Sequence, residues 1–305
     1  MQCNLESPWT GEDRACPFCR ASGRSLFSIR YSDTVEANHN IADVTGHILS
    51  CSNCGICYPS TNYDPNQFSA LYAKSLGDLS YFHASPLQKM RQRVLATLMR
   101  HHSRNILAAA LQVPLIDRAP TRVLDVGCGF GEFSRIYRNL GAQVTATEVI
   151  PVLAAHVRAA GIDCRLGSLE ALDLPVATFD LILFRAVLYR THRPAETIAI
   201  AKRLLAPGGR ISILDPSTDP QGVAYFAGKQ FPQGRYYIAD FTAFSRMLSN
   251  RFGLRTIDYW PIYGRPHAPL KRVRFVGNFL GAAELLFANL FRRKPYMAAY
   301  LLSCG

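Results

Sequence analysis

The chain has 305 residues and a formal net charge of +12, and it is 49% hydrophobic and 18% charged. This composition excludes a disordered chain and indicates a globular protein, long enough for one ordinary domain plus a smaller one. The positive charge suits nucleic acid, an anionic membrane or an acidic substrate and does not choose among them.

The sequence predicts neither a signal peptide nor a membrane-spanning helix. Residues 1–20 carry charged side chains such as Glu6 and Arg14 and lack an apolar core. No run of about 18 apolar residues occurs. We therefore expect a cytoplasmic protein whose thiols are reduced.

Two C-x-x-C knuckles stand near the start of the chain, Cys16-Pro-Phe-Cys19 and Cys51-Ser-Asn-Cys54. In a reducing compartment this pattern favours a structural zinc site over disulfides or free thiols, because each knuckle can direct two thiolates at one ion. A four-cysteine site has no open coordination position. We therefore expect the metal to organise the fold rather than to catalyse.

The composition and pattern divide the chain into three parts. We predict a zinc-ribbon-like module at 1–62, a helical connector and partial lid at 63–118, and a larger α/β domain at 119–305. Within the module Cys57 could compete as a zinc ligand, but a strand residue just past the second knuckle is the favoured interpretation.

A glycine-rich turn opens the α/β domain. An apolar run that carries Asp125 leads into Gly127, Gly129 and Gly131, and a helical pattern follows. Strand, glycine turn and helix form the first unit of a nucleotide-binding sheet, and the glycines let the backbone approach a ligand. The dinucleotide fingerprint is excluded, because Glu132 stands where its last glycine belongs.

Strands and helices alternate from residue 121, which predicts a parallel sheet. The second predicted strand, 143–148, ends on Glu148. A carboxylate at this point can accept hydrogen bonds from both ribose hydroxyls of a nucleotide. We favour this role over that of an ordinary loop carboxylate.

Two further blocks follow in order. Phe179-Asp180 begins an apolar strand, and Pro207-Gly-Gly209 separates a helix from the next strand. With the glycine turn, these blocks resemble the class I S-adenosylmethionine (SAM) methyltransferases. The resemblance implies SAM as the cofactor and a Rossmann-like seven-stranded sheet, whose last strand, at 296–303, inserts antiparallel beside strand five.

The resemblance also implies which residues bind SAM. In the family the glycine turn lies against the amino acid and ribose parts of SAM, and the turn near residue 168 flanks the adenine. This sequence departs from the family where Ser168 replaces the usual aspartate and where Arg190 replaces a frequent histidine. The predicted cofactor-binding residues are Asp125, Gly127, Cys128, Gly129, Gly131, Glu148, Val149, Ser168, Leu169 and Arg185.

Methyl transfer to a hydroxyl group also needs a group that removes the hydroxyl proton. In this family the loop at 185–194 lies beside the transferred methyl group, and an aromatic-rich region follows strand five. No spacing fixes a catalytic pair, and His192 fits a base and a surface residue equally well. The predicted catalytic residues are His192, Asp215, Tyr236, Tyr237 and His267.

Zinc knuckles before such a core resemble methyltransferases of sugar, polysaccharide and natural-product pathways. We therefore expect O-methylation of a sugar, a glycan or a related small molecule. Methylation of ribosomal RNA is the alternative, since certain rRNA guanine methyltransferases also begin with a cysteine zinc module and the +12 charge suits RNA. A non-catalytic SAM-binding scaffold is the second alternative, which Ser168 and Arg190 favour.

A predicted helix at 267–292 has a large apolar face and basic residues. A core-packed helix with a solvated rim is the favoured interpretation. Peripheral contact with a membrane or a lipid-linked substrate is the alternative. The sequence leaves the oligomeric state open.

Overall fold

The computed structural model describes six ranges of the chain. Most of the predicted connector at 63–118 and all of the predicted helix at 267–292 lie outside them, so both stay predictions. No helix within the described ranges is long and apolar enough to cross a membrane. The described residues are 9–32, 45–63, 122–215, 230–232, 237–263 and 295–304.

The described residues form thirteen strands and four α-helices. The strands are β1 (Trp9–Asp13), β2 (Gly23–Ser32), β3 (Thr45–Cys51), β4 (Cys57–Pro59), β5 (Thr61–Tyr63), β6 (Arg122–Val126), β7 (Gln143–Glu148), β8 (Asp163–Leu166), β9 (Phe179–Arg185), β10 (Leu205–Asp215), β11 (Gln230–Pro232), β12 (Leu254–Tyr263) and β13 (Pro295–Cys304). The helices are α1 (Glu132–Asn139), α2 (Pro151–Ala159), α3 (Pro194–Leu204) and α4 (Phe241–Phe252).

Seven strands form one mixed sheet in the order β12-β13-β10-β9-β6-β7-β8. The five strands from β10 to β8 are parallel. The last strand, β13, lies antiparallel to both β10 and β12. The predicted fold class, a Rossmann-like sheet whose last strand inserts antiparallel beside strand five, is confirmed.

Strand β10 begins earlier than the sequence predicts. The Pro-Gly-Gly segment was expected to precede a strand that starts at Arg210, but β10 already pairs at Leu205, opposite Phe179. The register then shifts, and pairing resumes between Arg210 and Leu181. Gly208, with φ 74°, lies inside this irregularity. The segment is thus a bulge within a strand rather than a loop before one.

Two apolar layers cover the sheet. On one face Tyr137 of α1 packs with Val123 and Leu181. On the other face residues of α3 and α4 pack in a larger core that also contains Phe18 and Tyr58 from the N-terminal region. The knuckle region and the strands β3 and β4 therefore share one hydrophobic core with the sheet.

Backbone hydrogen bonds also join the N-terminal region to the later chain. The short strand β11 pairs in parallel with β2, which gives a four-stranded sheet in the order β11-β2-β3-β4. The Cys57 N–H donates to the Ile238 carbonyl at 3.0 Å, and the Ile238 N–H donates to the Cys57 carbonyl at 2.8 Å. The knuckle region is therefore anchored through both strand pairing and burial, as expected for a segment too short to bury a sufficient core alone.

Candidate functional site

The candidate site lies at the carboxyl edge of the sheet. The strands β6, β7, β9 and β10 run parallel, so their carboxyl ends meet at one edge, where ligands bind in open α/β sheets. Buried polar groups lie at or near all four of these ends: Asp125 and Glu148 on the first two, and Arg185 and Asp215 on the others. These four are the buried charged residues of the described structure, so they define the site.

The glycine turn after β6 has the left-handed backbone that its glycines predict. Gly127, Gly129 and Gly131 have φ values of 62°, 54° and 69°. A Cβ atom at Gly127 would lie 2.8 Å from a Val187 methyl group, whereas one at Gly129 would meet nothing within 4 Å. Gly127 is thus required by packing, and Gly129 leaves open space where a ligand can approach the backbone.

Glu148 lies against this turn. Its side chain is buried, and its two oxygens accept hydrogen bonds from the Gly129 N–H at 2.8 Å and the Ile150 N–H at 3.0 Å. Burial raises the pKa of Glu148, while these backbone donors oppose the shift. Each carboxylate oxygen keeps a further lone pair, which suits it to accept a ribose hydroxyl.

Three further predicted cofactor-binding residues, Val149, Ser168 and Leu169, fall into two groups. Val149 is 47% exposed and Ser168 is half-buried, so both side chains are accessible to a ligand. Leu169 is 2% exposed and packs in the large core. Burial of this apolar side chain is favourable and leaves the Leu169 backbone available for a ligand. The predicted cofactor contact of Leu169 stays a prediction.

A buried polar cluster lies beneath the glycine turn, on the α1 face of the sheet. The Ser134 hydroxyl donates to Asp125 at 2.5 Å, and burial raises the pKa of Asp125 to about 6. The Arg185 guanidinium lies 4.5 Å from the centre of the Phe133 ring. Burial lowers the pKa of Arg185 to about 10, and its guanidinium donates no hydrogen bond within the described structure.

Asp215 and Tyr237, both predicted as catalytic, meet on the opposite face of the sheet. Both are buried, and the Tyr237 hydroxyl donates to Asp215 Oδ2. Burial raises the pKa of Asp215 to about 7, against the opposing hydrogen bond from Tyr237. The second oxygen, Oδ1, is also buried, and a hydrogen bond from the Tyr189 backbone to the carboxylate opposes the rise in its pKa. The pKa of Asp215 is therefore suited to proton transfer near neutral pH.

The other predicted catalytic residues stay predictions. His192 is half-buried in the loop between the 3₁₀ turn Leu188–Arg190 and α3. Tyr236 and His267 lie outside the described residues.

Two residues that contact predicted site residues, Cys164 and Ser134, were not themselves predicted from the sequence. Cys128 Sγ lies 3.8 Å from Cys164 Sγ of β8, although 36 positions separate them. Ser134 reaches Asp125 from the first turn of α1. A strand–turn–helix pattern places the first turn of the helix near the end of the strand before it, so the contact between Ser134 and Asp125 could have been predicted. The contact between Cys128 and Cys164 could not.

The four knuckle cysteines form a compact cluster away from the glycine turn. Their Sγ atoms all lie within 4.8 Å of one another. Three of the pairs are 3.3–3.8 Å apart. A tetrahedral zinc site with Zn–S bonds of about 2.3 Å requires S···S separations of about 3.8 Å, so the donor set fits this metal. The cluster comprises Cys16, Cys19, Cys51 and Cys54.

The two knuckles have matching backbones. Each second cysteine is followed by a left-handed residue, Arg20 with φ 64° and Gly55 with φ 74°. Cys57 is not part of the cluster and lies in β4. Its place in that strand agrees with a strand residue rather than a ligand, and burial raises the pKa of its thiol to about 11.

The comparisons with known proteins agree with this geometry. Residues 124–213 match the family described as "Methyltransferase domain". The segment that contains the glycine turn, Glu148 and the bulged strand therefore matches a methyltransferase domain. The fold is also that of the solved [4+2]-cyclase SpnF, with a TM-score of 0.51 and 18% identity over 78% of this chain and 96% of that one.

Two curated relatives are similar in sequence. Both are named ubiquinone biosynthesis O-methyltransferase. The relative from Xanthomonas oryzae pv. oryzae (strain PXO99A) is 32% identical over 139 residues, and that from Xanthomonas axonopodis pv. citri (strain 306) is 31% identical over 139 residues. Each match covers 41% of this chain and 58% of the relative, so the chain spans little more than half the length of these proteins.

Substitution of Glu148 by alanine is expected to weaken SAM binding about 10- to 100-fold, since a hydrogen bond to a charged group contributes about 1.5–3 kcal/mol. Isothermal titration calorimetry measures the affinity, and circular dichroism checks that the variant folds. Asp163→Ala is the control, because this exposed carboxylate lies on the neighbouring strand β8. Unchanged affinity in Glu148→Ala would contradict the assignment.

Asp215 is expected to make stability fall as the pH rises from acidic to neutral values. Its pKa of about 7 in the folded protein exceeds the value of about 3.9 in an unfolded chain. The stability that it contributes is therefore fully present below about pH 4 and is lost as the pH rises toward about 7. Asp215→Asn removes this titration.

Urea denaturation of both proteins at acidic and neutral pH measures the effect. The free energy of unfolding of the wild type relative to Asp215→Asn should fall by a few kcal/mol, at about 1.4 kcal/mol per unit of pKa shift. Asp163→Asn serves as the exposed control. Equal pH dependence in the wild type and Asp215→Asn would show that Asp215 is not a buried acid with a raised pKa.

Proposed function

We propose that the protein is a SAM-dependent methyltransferase that methylates a hydroxyl oxygen of a small molecule. The observation that carries the proposal is the glycine turn held against Glu148 at the carboxyl edge of the sheet. The open space at Gly129 and the second lone pairs of Glu148 suit a ligand that presents a ribose.

SAM fits the residues of this edge. Glu148 would accept hydrogen bonds from the ribose hydroxyls, and the exposed side chain of Val149 would contact the adenine. Arg185 and Asp125 supply opposite charges near the turn, where the amino acid part of SAM carries both an anion and a cation. SAM, when bound, supplies an activated methyl group for in-line displacement.

A hydroxyl acceptor is supported by Asp215. Asp215 would act as the general base that takes up the proton of the acceptor hydroxyl, while bound SAM would supply the methyl group. A pKa of about 7 leaves much of the carboxyl ionised at neutral pH. The curated relatives are named O-methyltransferases, which is consistent with an oxygen acceptor.

We propose a sugar, a glycan or a related small molecule as the acceptor. The proposal rests on the resemblance of the cysteine knuckles to those of methyltransferases from sugar, polysaccharide and natural-product pathways. Because the relatives are named for ubiquinone biosynthesis, a hydroxylated aromatic compound is included as a second small-molecule acceptor in the test. Ribosomal RNA is the alternative that the net charge of +12 supports.

We also propose that the four-cysteine cluster binds one structural zinc ion. Freshly purified protein should contain about one zinc per four-cysteine cluster. Cys54→Ser should lose the metal and unfold at a lower temperature, because metal binding supplies folding free energy. Cys57→Ser, at the strand cysteine outside the cluster, should keep the metal. Metal analysis that finds no zinc in the wild type would remove this site.

Methyl transfer is tested with SAM and three acceptors in separate reactions: a nucleoside diphosphate sugar, a dihydroxylated aromatic and ribosomal RNA. We expect S-adenosylhomocysteine to form with a hydroxylated small molecule, together with a product heavier by one methylene unit. Asp215→Asn should bind SAM normally but react about 10²- to 10⁴-fold more slowly, the usual contribution of a general base.

The other outcomes decide against the proposal. Methylation of RNA alone would support the ribosomal alternative. SAM binding without turnover on any acceptor would support the scaffold alternative, in keeping with the fact that a shared fold does not imply a shared activity.

A further inference from the structure

Phe18, a residue of the first knuckle, packs on the face of the sheet that holds Asp215 and Tyr237. Phe18 stands between Cys16 and Cys19 in the first knuckle and is 1% exposed. Its ring centre lies 4.8 Å from that of Tyr237, with an angle of 73° between the planes. This edge-to-face geometry is a favoured arrangement of aromatic pairs and restricts how both rings can turn.

Tyr237 is also held from two other directions. Its ring stacks on Phe244 of α4, with centres 5.7 Å apart and an angle of 22° between the planes. The next residue, Ile238, exchanges two backbone hydrogen bonds with Cys57, just past the second knuckle. Both knuckles therefore contribute to the position of Tyr237, one through a ring and the other through the backbone.

The hydroxyl end of Tyr237 reaches Asp215. It donates to Oδ2, which leaves Oδ1 as the carboxylate oxygen without a hydrogen bond of normal geometry. The charged groups that act on this carboxylate are Arg190 and Arg185, and the Tyr189 backbone N–H also faces it. Because Asp215 is buried, the single side-chain donor has a large effect on its orientation and charge.

We propose that the zinc knuckles position the base: Phe18 and Tyr237 are positioning residues that fix the orientation of the buried Asp215 carboxylate. The inference rests on the proposed function. It assigns to the N-terminal region a role in methyl transfer itself, in addition to folding. Phe18 and Tyr237 need not touch the acceptor, because they act through Asp215.

The contacts make a specific prediction about loss of the Phe18 ring. Without it, Tyr237 loses one wall of its site, and its hydroxyl is no longer fixed on Oδ2. A buried carboxylate that loses a donor is harder to ionise, so Asp215 should titrate at higher pH. Tyr237→Phe removes the donor itself, so it should raise the titration midpoint of Asp215 by an equal or larger amount.

The test is a pH titration of ¹³C-labelled aspartate carboxyl carbons by NMR in zinc-loaded protein, with Asp215→Asn used to assign the signal. In Phe18→Leu and Tyr237→Phe the midpoint of the Asp215 titration should rise by about 1–2 pH units, as loss of a charged hydrogen bond implies. Phe18→Met is the second variant, for the case that Phe18→Leu does not fold. Zinc content is measured in each protein.

Phe241→Leu is the matched control. Phe241 packs on Tyr259 and Tyr300 in the same aromatic region. A general loss of packing would move the titration in this variant too, whereas the proposal predicts no movement. An unchanged Asp215 midpoint in the folded, zinc-containing Phe18 variants would overturn the proposal. The readout needs no acceptor, so failure of the methyl-transfer reactions is seen separately.

Discussion

The hydrogen bond from the Gly129 N–H to Glu148 ties together the ends of two adjacent strands, and the geometry of the candidate site depends on it. A buried carboxylate without donors is costly, so Glu148 requires backbone N–H groups aimed at it. Only a turn with left-handed glycines can present the Gly129 amide in this way. The same turn leaves open space beside Gly129. The left-handed glycine backbone therefore explains both the hydrogen-bonded Glu148 carboxylate and the access of a ligand to the turn.

The opposite face of the same edge follows a different rule. There Asp215 is buried, and one of its carboxylate oxygens accepts a hydrogen bond from the Tyr237 hydroxyl. The ring of Tyr237 is in turn enclosed by Phe18 of the first knuckle and Phe244 of α4. Burial raises the pKa of this carboxyl group, and the Tyr237 hydroxyl limits the rise only while it is held on Oδ2. Under the proposals above, zinc at the four-cysteine cluster would stabilise the packing around the proposed base, Asp215.

The sequence was sufficient for features that depend on local pattern. The strands from β6 to β9, the glycine turn and the position of Glu148 follow from apolar runs that end in glycine or acid, and the two knuckles follow from cysteine spacing. The remaining features depend on contacts between distant parts of the chain. The pairing of β11 with β2, the Asp215–Tyr237 hydrogen bond and the burial of Leu169 leave no periodic trace, because each depends on how the layers pack.

The central claim is that the glycine turn and Glu148 form a SAM site. Amide NMR of ¹⁵N-labelled protein during addition of S-adenosylhomocysteine, the product of methyl transfer, tests it most directly. The account predicts saturable shifts of the Gly127, Gly129 and Gly131 amides together with Ile150, whose N–H is bound to Glu148. Amides on β12, at the far edge of the sheet, should not move. Absence of shifts at the glycine turn, or shifts confined to another part of the chain, would contradict the account.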